Sequence, residues 1–350
     1  MCIKATVLFR CDAGLKHGLG HLSRCLTLAD ALAHAGIQSG FVVHAPEGIR
    51  RRVSDAGYEV VATEASIGAD DEPPGWIAEG ARLVVVDSKD NTASYTARCR
   101  ALRPVVCFDE KISRELPCDV LINNHIGARR SDYDVRTDRR LLIGPAFNTV
   151  HPSYFGLAEP RRGLLITLGG EDPLNHTVWL IDALADAIGT LPTLVCIGPA
   201  HPDPDSVFLV CKKRLPAAEV FVSPPSLVSL AARCHLALSA GGITCYELAA
   251  AGIASAVLAI EEHQVRLAAA MVAAGAALFL GKSDRIDRKS VRQTFAKLQH
   301  PHTVDSLRSA GQSLFPHPGA PAIVAELREF LGSRDPSARH RTGAAMTEQQ

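Results

Sequence analysis

The chain has 350 residues and carries 37 Lys+Arg against 37 Asp+Glu, a formal charge of zero. That length exceeds what one core organises and predicts two lobes of about 150 residues each, with a cleft between them. The even charge lacks the basic footprint of a nucleic-acid binder, so the expected partner is a small molecule, not a nucleic acid.

The opening residues, MCIKATVLFRCD, lack the charged, apolar and small-residue layout of a signal peptide. No apolar run reaches the ~18 residues of a membrane span. A soluble cytoplasmic protein without membrane insertion is expected. Short β-branched runs then alternate with longer Ala- and Leu-rich segments. ATVLF (5–9), SGFVVHA (39–45), YEVVAT (58–63), ARLVVVDS (81–88), PVVCFDE (104–110) and DVLINN (119–124) read as buried strands, with a helix over Ser23–Ala35. Strands alternating with helices predict a parallel sheet covered on both faces.

Residues 145–163, rich in proline and without periodicity, read as a connection. The alternation resumes with GLLITLGG (163–170), a helix over Thr177–Ile188, TLVCIG (193–198), AEVFVS (218–223), HLALSAGG (235–242), ASAVLAI (254–260) and AALFLG (276–281). The prediction is an α/β protein of GT-B architecture, two Rossmann-like lobes facing a cleft. Residues 1–150 form the first lobe and 151–331 the second, with a disordered tail over 332–350 whose composition is polar. The ten cysteines form no CxxC pair, which removes zinc-ribbon and thioredoxin-type readings. Several lie in apolar runs, where cysteine acts as a small buried hydrophobe.

Four turns carry candidate chemistry, because ligands in such sheets bind beyond the carboxyl ends of the strands. In the first, Gly14, Gly18 and Gly20 precede His21. Glycine lets backbone approach a ligand, and the following helix start offers N–H donors to an anion. The spacing is not GxGxxG, and a tight strand-to-helix turn explains it equally. His17 reads as a bystander. In the second, Gly169 and Gly170 lead to Asn175 and Thr177, which also suit helix capping.

The third turn, LALSAGGITCYELAAAG (236–252), runs through Ser239, Gly241 and Gly242 into a helix with Thr244 and Glu247. It reads as a diphosphate-sized anion site, with a carboxylate one turn inside that suits ribose hydroxyls. A capping-box variant of Thr244 and Glu247 is the alternative. The fourth places Glu261, Glu262, His263 and Gln264 at the mouth of a helix, where the glutamates also complement the dipole. DYD (132–134) and DPD (203–205) follow no convincing strand and read as solvated loops. No metal and no cofactor is expected: a nucleoside diphosphate is a leaving group that helix N-termini and amides can stabilise.

In order, LFRCDAG, GLGHLSRCLTLA, VVVDS, CFDEKI, CDVLINN, SDYDV, LIGPAF, LLITLGGEDPLNHT and LSAGGITCYELAAAGI with EEHQVRLAAAM resemble the nucleotide-sugar hydrolase family of pseudaminic acid biosynthesis, the UDP-2,4-diacetamido-2,4,6-trideoxy-β-L-altropyranose hydrolases. The resemblance covers residues 5–281. It implies metal-independent hydrolysis at the anomeric carbon, with UDP held mainly by the second lobe. The family's GxGHxxR histidine matches His21, which by that resemblance activates water. Its uridine-diphosphate turn matches Ser239, Gly241, Gly242 and Glu247. Two positions depart on the sugar side: the family's DHY is Asp87, Ser88 and Lys89 here, and its NQ is His263 and Gln264. The expectation is a nucleotide-sugar hydrolase with altered sugar specificity. Its substrate contacts are Gly18, Gly20, Asp87, Lys89, Gly170, Asn175, then Ser239, Gly241, Gly242, Thr244 and Glu247 of the third turn and His263 and Gln264 of the fourth. A glycosyltransferase on the same site and a non-catalytic nucleotide-sugar binder are the competing readings.

Overall fold

The computed structural model describes residues 5–14, 17–67, 74–77, 80–110, 115–133 and 139–332. The first lobe is a seven-stranded parallel sheet of β1 (Val7–Asp12), β2 (Ser39–His44), β3 (Glu59–Ala62), β4 (Leu83–Asp87), β5 (Val105–Phe108), β6 (Val120–Asn123) and β7 (Arg140–Ile143). Its spatial order is β3-β2-β1-β4-β5-β6-β7. Helices α1 (Gly20–His34), α2 (Glu47–Asp55) and α3 (Ala93–Arg100) accompany it.

The second lobe is a six-stranded parallel sheet ordered β10-β9-β8-β11-β12-β13. Its strands are β8 (Gly163–Thr167), β9 (Thr193–Ile197), β10 (Glu219–Val222), β11 (Cys234–Ala240), β12 (Ala254–Ala259) and β13 (Leu278–Lys282). Its helices begin with α4 (His176–Ile188), α5 (Pro204–Arg214), α6 (Val228–Ala231), α7 (Thr244–Ala250) and α8 (Glu262–Ala273). Then come α9 (Arg288–Leu298), α10 (Pro301–Leu314) and α11 (Ala320–Gly332).

The central strands are buried along their whole length, as β1, β4 and β8 show. That is the physical meaning of their continuous apolar runs: helices cover both faces of a parallel sheet, so no polar face remains. In α1 the apolar residues Leu22, Cys25, Leu28, Ala29 and Leu32 fall on one stripe and pack on the first sheet.

Three departures from the sequence reading have clear causes. Strand β7 was not anticipated, because its four residues, RLLI, directly follow two charged positions and are too short to show a period. Helix α1 begins at Gly20 rather than Ser23, which puts His21 in its first turn. Helix α11, assigned by sequence position to the second lobe, inserts Ile323, Val324, Leu327 and Leu331 into the core of the first. The chain thus returns to its first lobe after completing the second sheet. The tail expected beyond residue 332 lies outside the described residues.

The nine described cysteines are free and buried. No helix among the described residues is long and apolar enough to cross a membrane.

Candidate active site

Strand order assembles the site. In both sheets the chain reverses its direction of travel between the first and fourth strands of the lobe, which opens a crevice at their carboxyl ends. In the first lobe β1 pairs with β4, with Cys11 opposite Asp87. The turn after β1 therefore lies beside the end of β4. In the second lobe β8 pairs with β11, with Thr167 opposite Ser239, so the second and third glycine turns are neighbours.

His21 is only 7% exposed. Its Nδ1 lies 2.7 Å from Asp87 Oδ1. Asp87 has no exposed surface and is clamped by Arg24, whose Nε meets Oδ2 and whose Nη2 meets Oδ1. Burial alone would raise the Asp87 carboxyl. The Arg24 charge, then that of His21, hold it far below the usual carboxylate range. An ionised carboxylate only accepts hydrogen bonds, so His21 Nδ1 carries the proton and Nε2 keeps its lone pair in the neutral ring. Arg24 Nη2 also approaches Nδ1 at 2.9 Å. With a proton on Nδ1 that approach is a like-polarity contact, held in place by Asp87. The guanidinium lies 4.7 Å over the Phe108 ring, and its Nη1 is bound to Glu110.

Asp87, expected among the sugar contacts, is thus behind the histidine instead. Ser88 is likewise turned inward and donates to Asp12 Oδ2 at 2.9 Å, within a buried cluster where Arg10 Nη1 meets Asp12 Oδ1 at 2.8 Å. Lys89 remains part-exposed beside the turn. The same turn is closed by mutual Gly14–Gly18 hydrogen bonds, with φ of 127° and 67° that glycine tolerates. His17, read as a bystander, is in fact close enough to His21, Asp90 and Lys89 to feel their charges, and its Nδ1 is 3.6 Å from Asp90 Oδ2. Burial pulls His17 below the ordinary histidine range.

The lobes meet at this turn. Gly18 N–H donates to Glu171 Oε1 across the cleft at 3.2 Å. A Cβ on Gly20 would meet Ile243 Cδ1 at 3.3 Å, and one on Gly170 would meet Leu19 at 3.7 Å. Farther along, Arg52 Nη2 donates to Ser223 Oγ at 3.0 Å beside an interlobe cavity of about 360 Å³ lined by residues of both lobes.

The two second-lobe turns differ in what their amides do. At the start of α4, Asp172 takes the N–H groups of His176 and Thr177 on its two oxygens, both at 2.8 Å. Neither Asn175 nor Thr177 caps the helix. Asn175 sits in the left-handed region at φ 53°, and its amide donates to Ser206 Oγ at 2.6 Å. The first two amides of that helix are thus taken by its own carboxylate. The loop also settles on Gly198, where a Cβ would strike Gly169 O at 2.3 Å.

The start of α7 has no side-chain cap. The amides of Gly241, Gly242, Cys245, Tyr246 and Glu247 are bonded to nearby carbonyls, while among the described residues those of Ile243 and Thr244 have no acceptor. Gly242 faces open space, whereas Gly241 is required by packing: a Cβ there would meet Gln264 Cβ at 2.8 Å. Ser239 is fully buried, with its hydroxyl 3.7 Å from Cys245 Sγ, and does not face the cleft. Gln264 accepts from Ile260 N–H at 2.9 Å, folded over its own loop. His263 lies on α8, and its side chain is outside the described residues.

The capping-box alternative for Thr244 and Glu247 does not form. Tyr154 and Thr244 are close enough to the Glu247 side chain to favour its ionised form. Burial nevertheless pushes Glu247 up to about 7 from its ordinary 4.5. A carboxyl raised in the folded state binds a proton that the unfolded chain releases, so between pH 4.5 and about 7 its contribution to stability falls as pH rises. Glu247→Gln removes that loss. The melting temperature of the variant relative to the parent is expected to climb across this window and level off above it, as a thermal melt series in pH measures.

In the acid pairs read as solvated loops, Asp132, Asp203 and Asp205 are exposed; Asp203 Oδ1 accepts Ser206 N–H at the start of α5, and Asp132 accepts Arg129 N–H at 2.7 Å. Asp134 lies outside the described residues. Among the described residues, no group of three or more His, Cys, Asp or Glu has metal-holding geometry.

No family model matches the chain. The spore coat polysaccharide biosynthesis protein SpsG of Bacillus subtilis is 26% identical over 237 residues, covering 65% of this chain and 69% of SpsG. Among solved structures, MurG of Acinetobacter baumannii aligns at a TM-score of 0.61 with 15% identity, covering 92% of this chain and 99% of MurG. The spinosyn rhamnosyltransferase SpnG, complexed with thymidine diphosphate, aligns at 0.62 with 16% identity and the same coverage. Two parallel Rossmann-like sheets meeting at a cleft, matched end to end by these structures, give this chain the GT-B fold.

Proposed function

We propose that this protein hydrolyses a nucleoside-diphosphate amino sugar at the anomeric carbon, with His21 as the base that activates water. The observation that carries the reading is the His21–Asp87–Arg24 arrangement at the start of α1, facing the uncapped start of α7 across the cleft. Asp87 fixes the tautomer, so Nε2 is the nitrogen that receives the water proton. The water oxygen bonds to the anomeric carbon as the bond from that carbon to the phosphate oxygen breaks. The electron pair leaves with the nucleoside diphosphate. Free amides at Ile243 and Thr244, at a helix start, suit the charge that builds on the leaving phosphate. Glu247, one turn inside, suits ribose hydroxyls. By the family resemblance, Lys89 and His263 occupy sugar-side positions at which this chain departs from the family, and that departure favours a sugar other than the family's.

The name of SpsG, a polysaccharide biosynthesis protein, supports a role in building surface sugars such as nonulosonic acids, and the resemblance to the pseudaminic-acid hydrolases supports uridine as the base and water as the acceptor. One observation favours a second reading. SpnG is a rhamnosyltransferase and shares this fold, so a sugar or aglycone hydroxyl in place of water would make the same site a glycosyltransferase.

The deciding experiment mixes purified protein with UDP- and CMP-linked amino sugars in EDTA, without an acceptor, and follows nucleotide and free sugar. Stoichiometric release of both is expected. Binding of a donor without release, followed by turnover once a hydroxyl acceptor is added, would replace hydrolysis by transfer.

A further inference from the structure

We infer that Glu110 is a positioning residue that, through Arg24, sets the charge balance under which His21 accepts a proton. The inference rests on the reading of His21 as the base. Glu110 lies just beyond β5, and β5 pairs with β4, so the topology that brings Asp87 to His21 also brings Glu110 to the far side of Arg24. It is the solvent-facing member of the chain: its side chain is 45% exposed, while that of Arg24 is 3% and that of Asp87 0%.

The need for it follows from charge counting. Arg24 places a permanent cation 2.9 Å from the ring nitrogen of His21. Arg24 and Asp87 cancel. A proton arriving at Nε2 would therefore leave the buried trio with a net positive charge, against the cost of holding charge away from water. Glu110 supplies the missing negative charge. With it, the neutral-imidazole state carries one net negative charge and the imidazolium state none, which favours uptake of the proton.

The other groups facing this cluster do not duplicate that role. His17 stands by the turn, with Asp90, Lys89 and Asp12 around it, and Asp12 is already engaged by Arg10. Cys25 is a buried thiol on α1, and Tyr246 faces Glu110 and Arg24 from α7 with its phenol pushed above its usual range by burial. His125 lies near Glu110, with Arg266 on its own far side, and neither adds a negative charge. Glu110 itself is held below the usual carboxylate range by Arg24 and then His21, against the opposing effect of burial, so it is ionised when the reaction runs.

The test labels the histidine rings of the full chain with nitrogen-15 and follows the His21 signals, assigned by their loss in His21→Ala, through a pH titration. In Glu110→Gln the His21 ring is expected to titrate lower than in the parent by about one pH unit, the scale of one nearby charge in a partly shielded site. Glu110→Asp restores the charge and is expected to titrate within a few tenths of the parent, and Glu110→Lys lower than Glu110→Gln. The acid limb of the nucleotide-release profile moves with the ring. An unchanged titration in Glu110→Gln overturns the inference, as does an equal shift in Glu110→Asp, since shape rather than charge would then be responsible. The titration needs no turnover, so absent nucleotide release would count against hydrolysis and leave this result to stand or fall alone.

Discussion

His21→Ala is expected to lower the rate of nucleotide release by roughly 10² to 10⁴-fold, the range in which a positioned general base contributes. The fold should survive the change. Asp87 keeps both of its bonds to Arg24, so no buried charge is stranded, and the imidazole leaves a small space at the edge of the cleft rather than a hole in the core. Binding of the nucleotide part should change little, because the nucleotide contacts proposed above, the amides of Ile243 and Thr244 and the Glu247 carboxyl, belong to the other lobe. The signature is thus a fall in kcat with KM within a few-fold, checked by steady-state release and by titration of the free nucleoside diphosphate. A kcat within tenfold of the parent would remove His21 from the role of base.

Arg24→Met is expected to cost stability as well as activity. The methionine fills much of the space against Phe108, but it leaves Asp87 as an uncompensated carboxylate with no exposed surface. Breaking one side of a buried pair in this way costs about 3–5 kcal/mol. A urea titration measures it. Adding Asp87→Asn to Arg24→Met removes the stranded charge and is expected to recover a large part of that loss, because two neutral groups demand less than one buried ion. Activity should not return with it: an asparagine at position 87 neither fixes the His21 tautomer nor stabilises the imidazolium. Stability and catalysis then separate in a single pair of variants. Equal stability of Arg24→Met and the parent would mean that Asp87 is neutral in the fold, contrary to its clamped geometry.

The four candidate turns divide by residue. The place of His21, Gly18 and Gly20 between β1 and α1 is legible in the sequence, because a strand, a glycine turn and an apolar helix follow one another directly. The α7 turn was legible for the same reason. Other candidates were overruled by their neighbours. Asn175 and Thr177 were natural caps by local preference, yet Asp172 reaches both N–H groups from a left-handed backbone position that propensity does not reveal. Ser239 and Gln264 had the right type and position, but one is sealed in its strand and the other is bonded to its own loop. Glu110, Glu171 and Arg24 lie inside motifs of the family resemblance, Arg24 as the arginine of GxGHxxR, but nothing in their local sequence gives them a role. Arg24 reads as one polar residue of an amphipathic helix until β4 and β5 are set beside it.

What the sequence by itself determined was the alternation of strand and helix, the two-sheet architecture and the histidine at the head of α1, because these depend on periodicity and turn chemistry over a few adjacent residues. Tertiary structure alone decided that Asp87, 66 residues from His21, orients its ring, that Glu110 balances Arg24, and that α11 returns to the first core. Those outcomes depend on strand order and on which buried charge finds a partner, and neither leaves a mark on the residues nearby.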